Sequence, residues 1–151
     1  MKVYFFIGTT AELIRIAPII KELKKRNIEY KLITSGQVVV HFEDLTGYIG
    51  NLRADIVFEE KEKKSSSFHF CLWAIGTFFT ALFKLGKEFR GIDKNNVYFV
   101  ICGDPVSTSI GALVAFLYGL RIIHLESGDL SFNLLEPFPE EICRNINLRL
   151  A

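Results

Sequence analysis

Asp104 follows the apolar run and glycine of "VICGD", Glu126 closes "IIHLE", and Glu140 opens the final predicted helix in "PFPEEICR". Carboxylates brought together from separate loops are the groups that take a proton from carbon, return it, or steady a developing positive centre. Two arginines accompany them, Arg15 one turn into the first predicted helix and Arg144 three residues after Glu141. Arg15 is placed to reach a phosphate, or to be an ordinary solvated helix arginine. Upstream, "GTTAE" at 8–12 is a loop before a helix, and backbone amides around Gly8 and Thr9 would suit an anion such as phosphate, with a plain strand-to-helix turn as the alternative. Neither GxxxxGK[ST] nor GxGxxG occurs, so the common nucleotide fingerprints are absent.

Each acid also has a purely structural reading. Asp104 ahead of Pro105 would make a good helix N-cap, Glu126 beside His124 a salt-bridge partner, and Glu140 and Glu141 a favourable charge at a helix N-terminus. Convergence favours chemistry: three carboxylates on different loops at one sheet rim are harder to explain as three unrelated caps.

The elements that must position them alternate between strand and helix. "KVYFFI" (2–7), "EYKLIT" (29–34), "ADIVF" (54–58), "NVYFVICG" (96–103) and "RIIHLESG" (121–128) read as strands. Helices are predicted over 12–26, weakly over 38–47, from 68 to about 90, and from Asp104 and Pro105 onward. Strands apolar on both faces and separated by helices imply an α/β, Rossmann-like doubly wound parallel sheet, whose ligands bind at the carboxyl ends of the strands. The charged and serine-rich stretch 59–67 reads as an exposed loop. Residues 68–83, sixteen long and without an acidic or basic charge apart from titratable His69, fall short of a membrane span and predict a buried helix, with peripheral membrane-surface contact as the alternative.

With 151 residues, half of them hydrophobic, the chain suffices for one domain with a substantial core. A formal charge of +1, from 18 basic and 17 acidic residues, gives no support to nucleic-acid or anionic-membrane binding and fits a small, locally recognised ligand. Cys71, Cys102 and Cys143 form no CxxC pair and read as reduced thiols of a cytoplasmic protein, with neither a disulfide framework nor a metal site. The N-terminus is a first strand rather than a signal peptide.

Four blocks, "GTTAELIRIAPII", "TSGQ", "VICGDPVST" and "HLESGDL" leading to "PFPEEICRNINLRLA", in this order and spacing, resemble the N-terminal half of the UDP-N-acetylglucosamine 2-epimerases. The resemblance runs the full length of the chain and implies the N-terminal domain of a two-domain GT-B enzyme, with the second domain outside these 151 residues. It implies a reaction that needs no cofactor: UDP leaves the sugar to give a 2-acetamidoglucal, which is re-protonated at C2 to yield UDP-N-acetylmannosamine or hydrated to release the free sugar. Asp104, Glu126 and Glu140 match the family's catalytic carboxylates, Arg144 its nearby arginine, and Arg15 its lysine near the first turn. The family's nucleotide-base contacts, most of its diphosphate contacts and a further catalytic histidine lie in the second domain. A fragment inactive alone, and a homodimer when complete, are therefore expected.

The chain also departs from the family pattern. Thr10 and Ala11 replace an arginine and a proline, Val38 and Cys102 replace histidines, Pro105 a threonine, Asp129 and Leu130 a leucine and an arginine, and Cys143 an asparagine. A divergent branch with altered sugar preference and a copy losing activity are both compatible with this. A GT-B glycosyltransferase half and a non-catalytic sugar-nucleotide-binding remnant are the competing functional readings.

Overall fold

A computed structural model describes residues 1–58, 67–128, 130–133 and 136–151. Five parallel strands, β1 (Lys2–Ile7), β2 (Glu29–Thr34), β3 (Ile56–Val57), β4 (Val97–Cys102) and β5 (Arg121–Leu125), form one sheet in the order β3-β2-β1-β4-β5. The helices are α1 (Thr10–Lys25), α2 (Thr46–Ile49), α3 (Ser67–Glu88), α4 (Val106–Leu117) and α5 (Glu140–Leu150). The expected doubly wound parallel sheet is what the chain forms.

The unbroken apolar run of β1 has a direct physical cause: alternate side chains of a strand point to opposite faces, and both faces are covered. Tyr4 and Phe6 enter one core with Trp73, Ala81, Leu85 and Phe99, whereas Val3, Phe5 and Ile7 enter the other with Leu13, Ile16 and Ile20 of α1. Ring contacts knit the first layer, with Tyr4 edge-on to Phe89 at 5.2 Å and Phe6 against Phe99 at 6.0 Å. α4 approaches β1 so closely that a Cβ on Gly111 would lie 2.7 Å from Cδ1 of Phe6.

Register sets the functional rim. Phe5 of β1 lies beside Val100 of β4, and Cys102 beside Leu125 of β5, so the carboxyl ends of these strands emerge on one side of the sheet. The turns that follow carry Gly8, Gly103 and Glu126.

Three expectations need correction. The predicted helix over 38–47 is a short 3-10 turn, Glu43–Leu45, running into α2, because the β-branched run Val38–Val40 does not enter a helix. β3 is only two residues long. The third correction concerns α3, predicted to be buried, which is buried on one face only. Trp73, Thr77, Ala81 and Leu85, spaced four apart, point inward, while Leu72, Ile75, Phe79 and Phe83 are exposed. By length and composition His69–Glu88 would suffice to cross a bilayer, yet its inner face is part of the sheet's core. The charged stretch at 59–66 lies outside the described residues.

The Gly111 contact gives a direct check of the α4–β1 packing. Gly111→Ala, forcing a methyl into the Phe6 ring, is expected to destabilise the fold by about 1–3 kcal/mol in urea unfolding, as overpacked cores do.

Candidate functional site

The first part of the site is the turn after β1. Thr9 takes an extended backbone and caps α1, its Oγ1 accepting from Glu12 N–H at 3.2 Å. Glu12 turns back, and its Oε2 accepts from Gly8 N–H at 2.8 Å and from the Thr9 hydroxyl at 2.9 Å. This is a variant of the capping box, readable as Thr-x-x-Glu. Its other oxygen, Oε1, accepts from the Thr108 hydroxyl of α4 at 2.9 Å, and the same hydroxyl reaches Cys102 O at 3.0 Å. Glu12 is fully buried, and burial pushes its carboxyl above the usual range while the bonds from Gly8, Thr108 and Thr9 pull it down. The Gly8 amide thus faces a carboxylate of its own chain. Gly8 itself is dictated by crowding, since a Cβ there would lie 2.2 Å from Ser107 Oγ and 2.7 Å from Ser35 Oγ.

The second part is the start of α4. Its N-cap position is Pro105, with no side-chain cap, and Ser107 N–H instead donates to Gln37 Oε1 of the "TSGQ" turn at 3.0 Å. The capping reading of Asp104 is therefore not what the chain does. Asp104 Oδ2 accepts from Arg144 Nε at 2.7 Å and faces Arg144 Nη2 at 2.6 Å, tying the end of β4 to α5 across forty residues of sequence. Charge-assisted bonds of this length are the stronger kind.

The third part is the end of β5. Glu126 has φ +57, a left-handed backbone uncommon for a residue with a side chain, and its Oε2 pairs with Arg15 Nη1 at 2.9 Å, both side chains being half-exposed. Arg15 is thus neither a solvated helix arginine nor empty-handed. His124 Nε2 lies 2.8 Å from Gly103 O, which can only accept, so this nitrogen carries the proton, and its Nδ1 is buried without a partner among the described residues.

These parts meet in one cleft of about 300 Å³ lined by Arg15, Gly103, Asp104, Glu126, Ser127 and Arg144. Two cations and two anions face it, already paired Arg15 with Glu126 and Arg144 with Asp104. Glu140 is not among the lining residues. It is the first residue of α5, half-buried, one helical turn before Arg144. Gly8 and Thr9 sit behind the cleft, holding Glu12.

Three supports make contacts that the local sequence did not announce. Glu12 carries a readable capping spacing but gives no sign of its burial. Gln37 reaches α4 across seventy residues. Glu141, which is buried, accepts from Ser131 N–H at 3.0 Å and lies 3.6 Å from Arg144 Nη1; the Ser131 bond holds its carboxyl below the usual range. Cys102, behind Arg15, has its thiol pushed up to about 12, first by burial and then by Glu126 and Glu12. Among the described residues no group of three or more His, Cys, Asp or Glu side chains could hold a metal ion.

Comparisons with known proteins agree with the resemblance. Residues 81–151 match the family model for UDP-N-acetylglucosamine 2-epimerase. The enzyme of that name from Salmonella borreze is 29% identical over 99% of this chain and 37% of its own length, and that from Methanocaldococcus jannaschii is 31% identical over 95% and 36%. The crystal structure of the Neisseria meningitidis enzyme bound to UDP-GlcNAc superimposes with a TM-score of 0.73 at 27% identity, covering 100% of this chain and 39% of that one. The chain thus spans little more than a third of the length of the relatives it matches. It is similar to their N-terminal part, with the fold of a GT-B N-terminal domain.

Two outcomes test the supports. Glu12 has a folded-state pKa raised above its unfolded value, so wild-type protein binds the extra proton when folded and loses that stabilisation as pH rises above the ordinary carboxylate range. Relative to wild type, Glu12→Gln should gain stability in urea melts as pH rises above the ordinary carboxylate range, while Glu12→Ala, which orphans buried donors, should cost about 1–3 kcal/mol throughout. In thiol titration of native protein at pH 8, exposed Cys71 should react rapidly, and buried Cys102 and Cys143 only after denaturant is added.

Proposed function

Taking its kinship with the N-terminal part of the UDP-N-acetylglucosamine 2-epimerases as the premise, we propose that this chain is the sugar-handling N-terminal domain of a two-domain enzyme. That enzyme interconverts UDP-N-acetylglucosamine and UDP-N-acetylmannosamine, or releases N-acetylmannosamine and UDP. It works as a cytoplasmic homodimer in cell-surface polysaccharide biosynthesis and requires no cofactor. The observation that carries this reading is that Asp104 and Glu126, from the ends of adjacent strands, line one cleft with Arg15 and Arg144.

The proposed chemistry follows from what those groups can do. A carboxylate must take the C2 proton of the sugar, and positive charge must steady UDP as it leaves. Glu126 and Asp104 are the carboxylates at hand, and each is paired with an arginine. An incoming diphosphate competes with Glu126 for Arg15, so substrate entry would exchange one ion pair for another and release the Glu126 carboxylate toward the sugar. Glu140 enters as a third candidate acid if α5 turns by a fraction of a helical turn. Gly8 and Thr9 contribute by fixing the turn that carries Arg15, through Glu12.

A second reading, a sugar-nucleotide-binding unit without catalysis, is favoured by the internal pairing of all four charged cleft residues. Alanine at Asp104, Glu126 and Glu140, in a protein that carries this chain together with a second domain, separates the two. Under the catalytic reading each change lowers formation of mannosamine product by a factor of roughly a hundred or more, as loss of a proton-transfer group does. Unchanged product formation, or UDP release only when an acceptor is added, contradicts it. The 151-residue chain alone is expected to give no turnover.

A further inference from the structure

Beside the cleft, one main-chain oxygen is gripped from two elements at once, and none of the proposed chemistry uses the grip. Gly103, the residue before Asp104, has φ +68, a left-handed backbone that glycine enters and leaves at little cost. A peptide beside such a residue turns over readily unless its neighbours hold it. Both polar atoms of Gly103 are held: its N–H donates to Leu125 O at 3.0 Å, and its carbonyl accepts from His124 Nε2 at 2.8 Å and from Asn147 Nδ2 at 3.5 Å. His124 reaches in from β5 and Asn147 from α5.

The Gly103 carbonyl belongs to the same planar peptide as the Asp104 nitrogen, so fixing this oxygen fixes the plane from which the Asp104 side chain departs. The carboxylate at the end of that side chain is taken by Arg144, 2.7 Å from Nε and 2.6 Å from Nη2. Arg144 and Asn147 are three residues apart on α5 and so share a side of it. One helix therefore holds Asp104 twice, by its carboxylate and by the carbonyl before it, and β5 adds the shorter bond. Asn147 is 0% exposed, yet its Oδ1 has no partner among the described residues, and neither has the buried Nδ1 of His124. Unbonded buried polar atoms weaken a fold, and a leucine, with the same branching as asparagine, would occupy that place without the penalty. Packing alone does not account for Asn147, whereas its donation to Gly103 does. Resting on the reading of Asp104 as an acid of the sugar reaction, we propose that His124 and Asn147 are positioning residues, which set Asp104 in the cleft by gripping the Gly103 carbonyl and do not touch substrate. Without the grip the peptide turns and Asp104 swings with it, and a misplacement of about 1 Å costs about a hundredfold in rate.

Two measurements test this, and one needs no turnover. In NMR of the 151-residue chain, His124→Leu or Asn147→Leu should shift the Gly103 carbonyl carbon and produce relaxation dispersion at the Asp104 amide. His124→Gln, whose Nε2 donates from the same place, should leave both as in wild type. In a protein that carries this chain together with a second domain, each leucine variant should lower kcat for mannosamine formation about tenfold with KM within about twofold of wild type, and the two together about a hundredfold. His124→Gln should recover most of kcat, and Asn147→Leu should lose no stability in urea, which separates positioning from general loosening. Wild-type kcat in both leucine variants, KM rising in step with the loss, or His124→Gln as impaired as His124→Leu overturns the inference. If the wild-type two-domain protein makes no mannosamine product, the functional reading fails and the NMR measurement decides alone: an Asp104 amide as rigid in the leucine variants as in wild type overturns the grip, and a mobile one upholds it.

Discussion

A buried carboxylate, that of Glu12, holds the functional end of this molecule together. It closes the turn after β1 through Gly8 and Thr9 and at the same time accepts from Thr108 at the start of α4. Two elements nearly a hundred residues apart are thereby fixed to each other at the carboxyl rim. Arg15 follows Glu12 by three residues on α1, so its reach to Glu126 depends on that anchor, and α4 follows directly from the loop that carries Asp104. Burying a carboxyl is costly unless its oxygens are bonded, and here three donors serve the two oxygens.

Around this anchor the rim is neutral by pairing. Arg15 with Glu126 and Arg144 with Asp104 keep four charged groups in a small cleft without leaving any of them uncompensated. Both pairs are open to solvent in part, so each contributes little to stability and can be exchanged for a ligand's charges at modest cost.

The sequence revealed what burial on two faces makes visible. β1 and β4 are central strands, covered on both sides, and their near-continuous apolar runs mark them without ambiguity. From their order came the parallel sheet, and from the sheet the meeting of Asp104 with Glu126. Less was legible where partners are distant or where composition hides a pattern. Nothing near Asp104 in sequence announces Arg144, and the aspartate-proline spacing suggested a cap that Gln37 in fact supplies. In α3 apolar residues occur all round the helix, so its inner face of Trp73, Thr77, Ala81 and Leu85 could not be told from the outer one until the sheet was in place. Glu140 shows the limit of counting positions from a motif: it opens α5 as expected, but Arg144, a turn later, is the residue that reaches the cleft.

The account stands on the cleft between Arg15, Asp104, Glu126 and Arg144 being where a sugar nucleotide is met. Amide NMR of the 151-residue chain, titrated with UDP-N-acetylglucosamine, addresses this most directly. Saturable shifts centred on Gly103, Asp104, Glu126 and Ser127, lost when Arg15 is replaced by alanine, are the predicted result. Shifts confined to other surfaces, or a spectrum untouched at millimolar ligand, would contradict it.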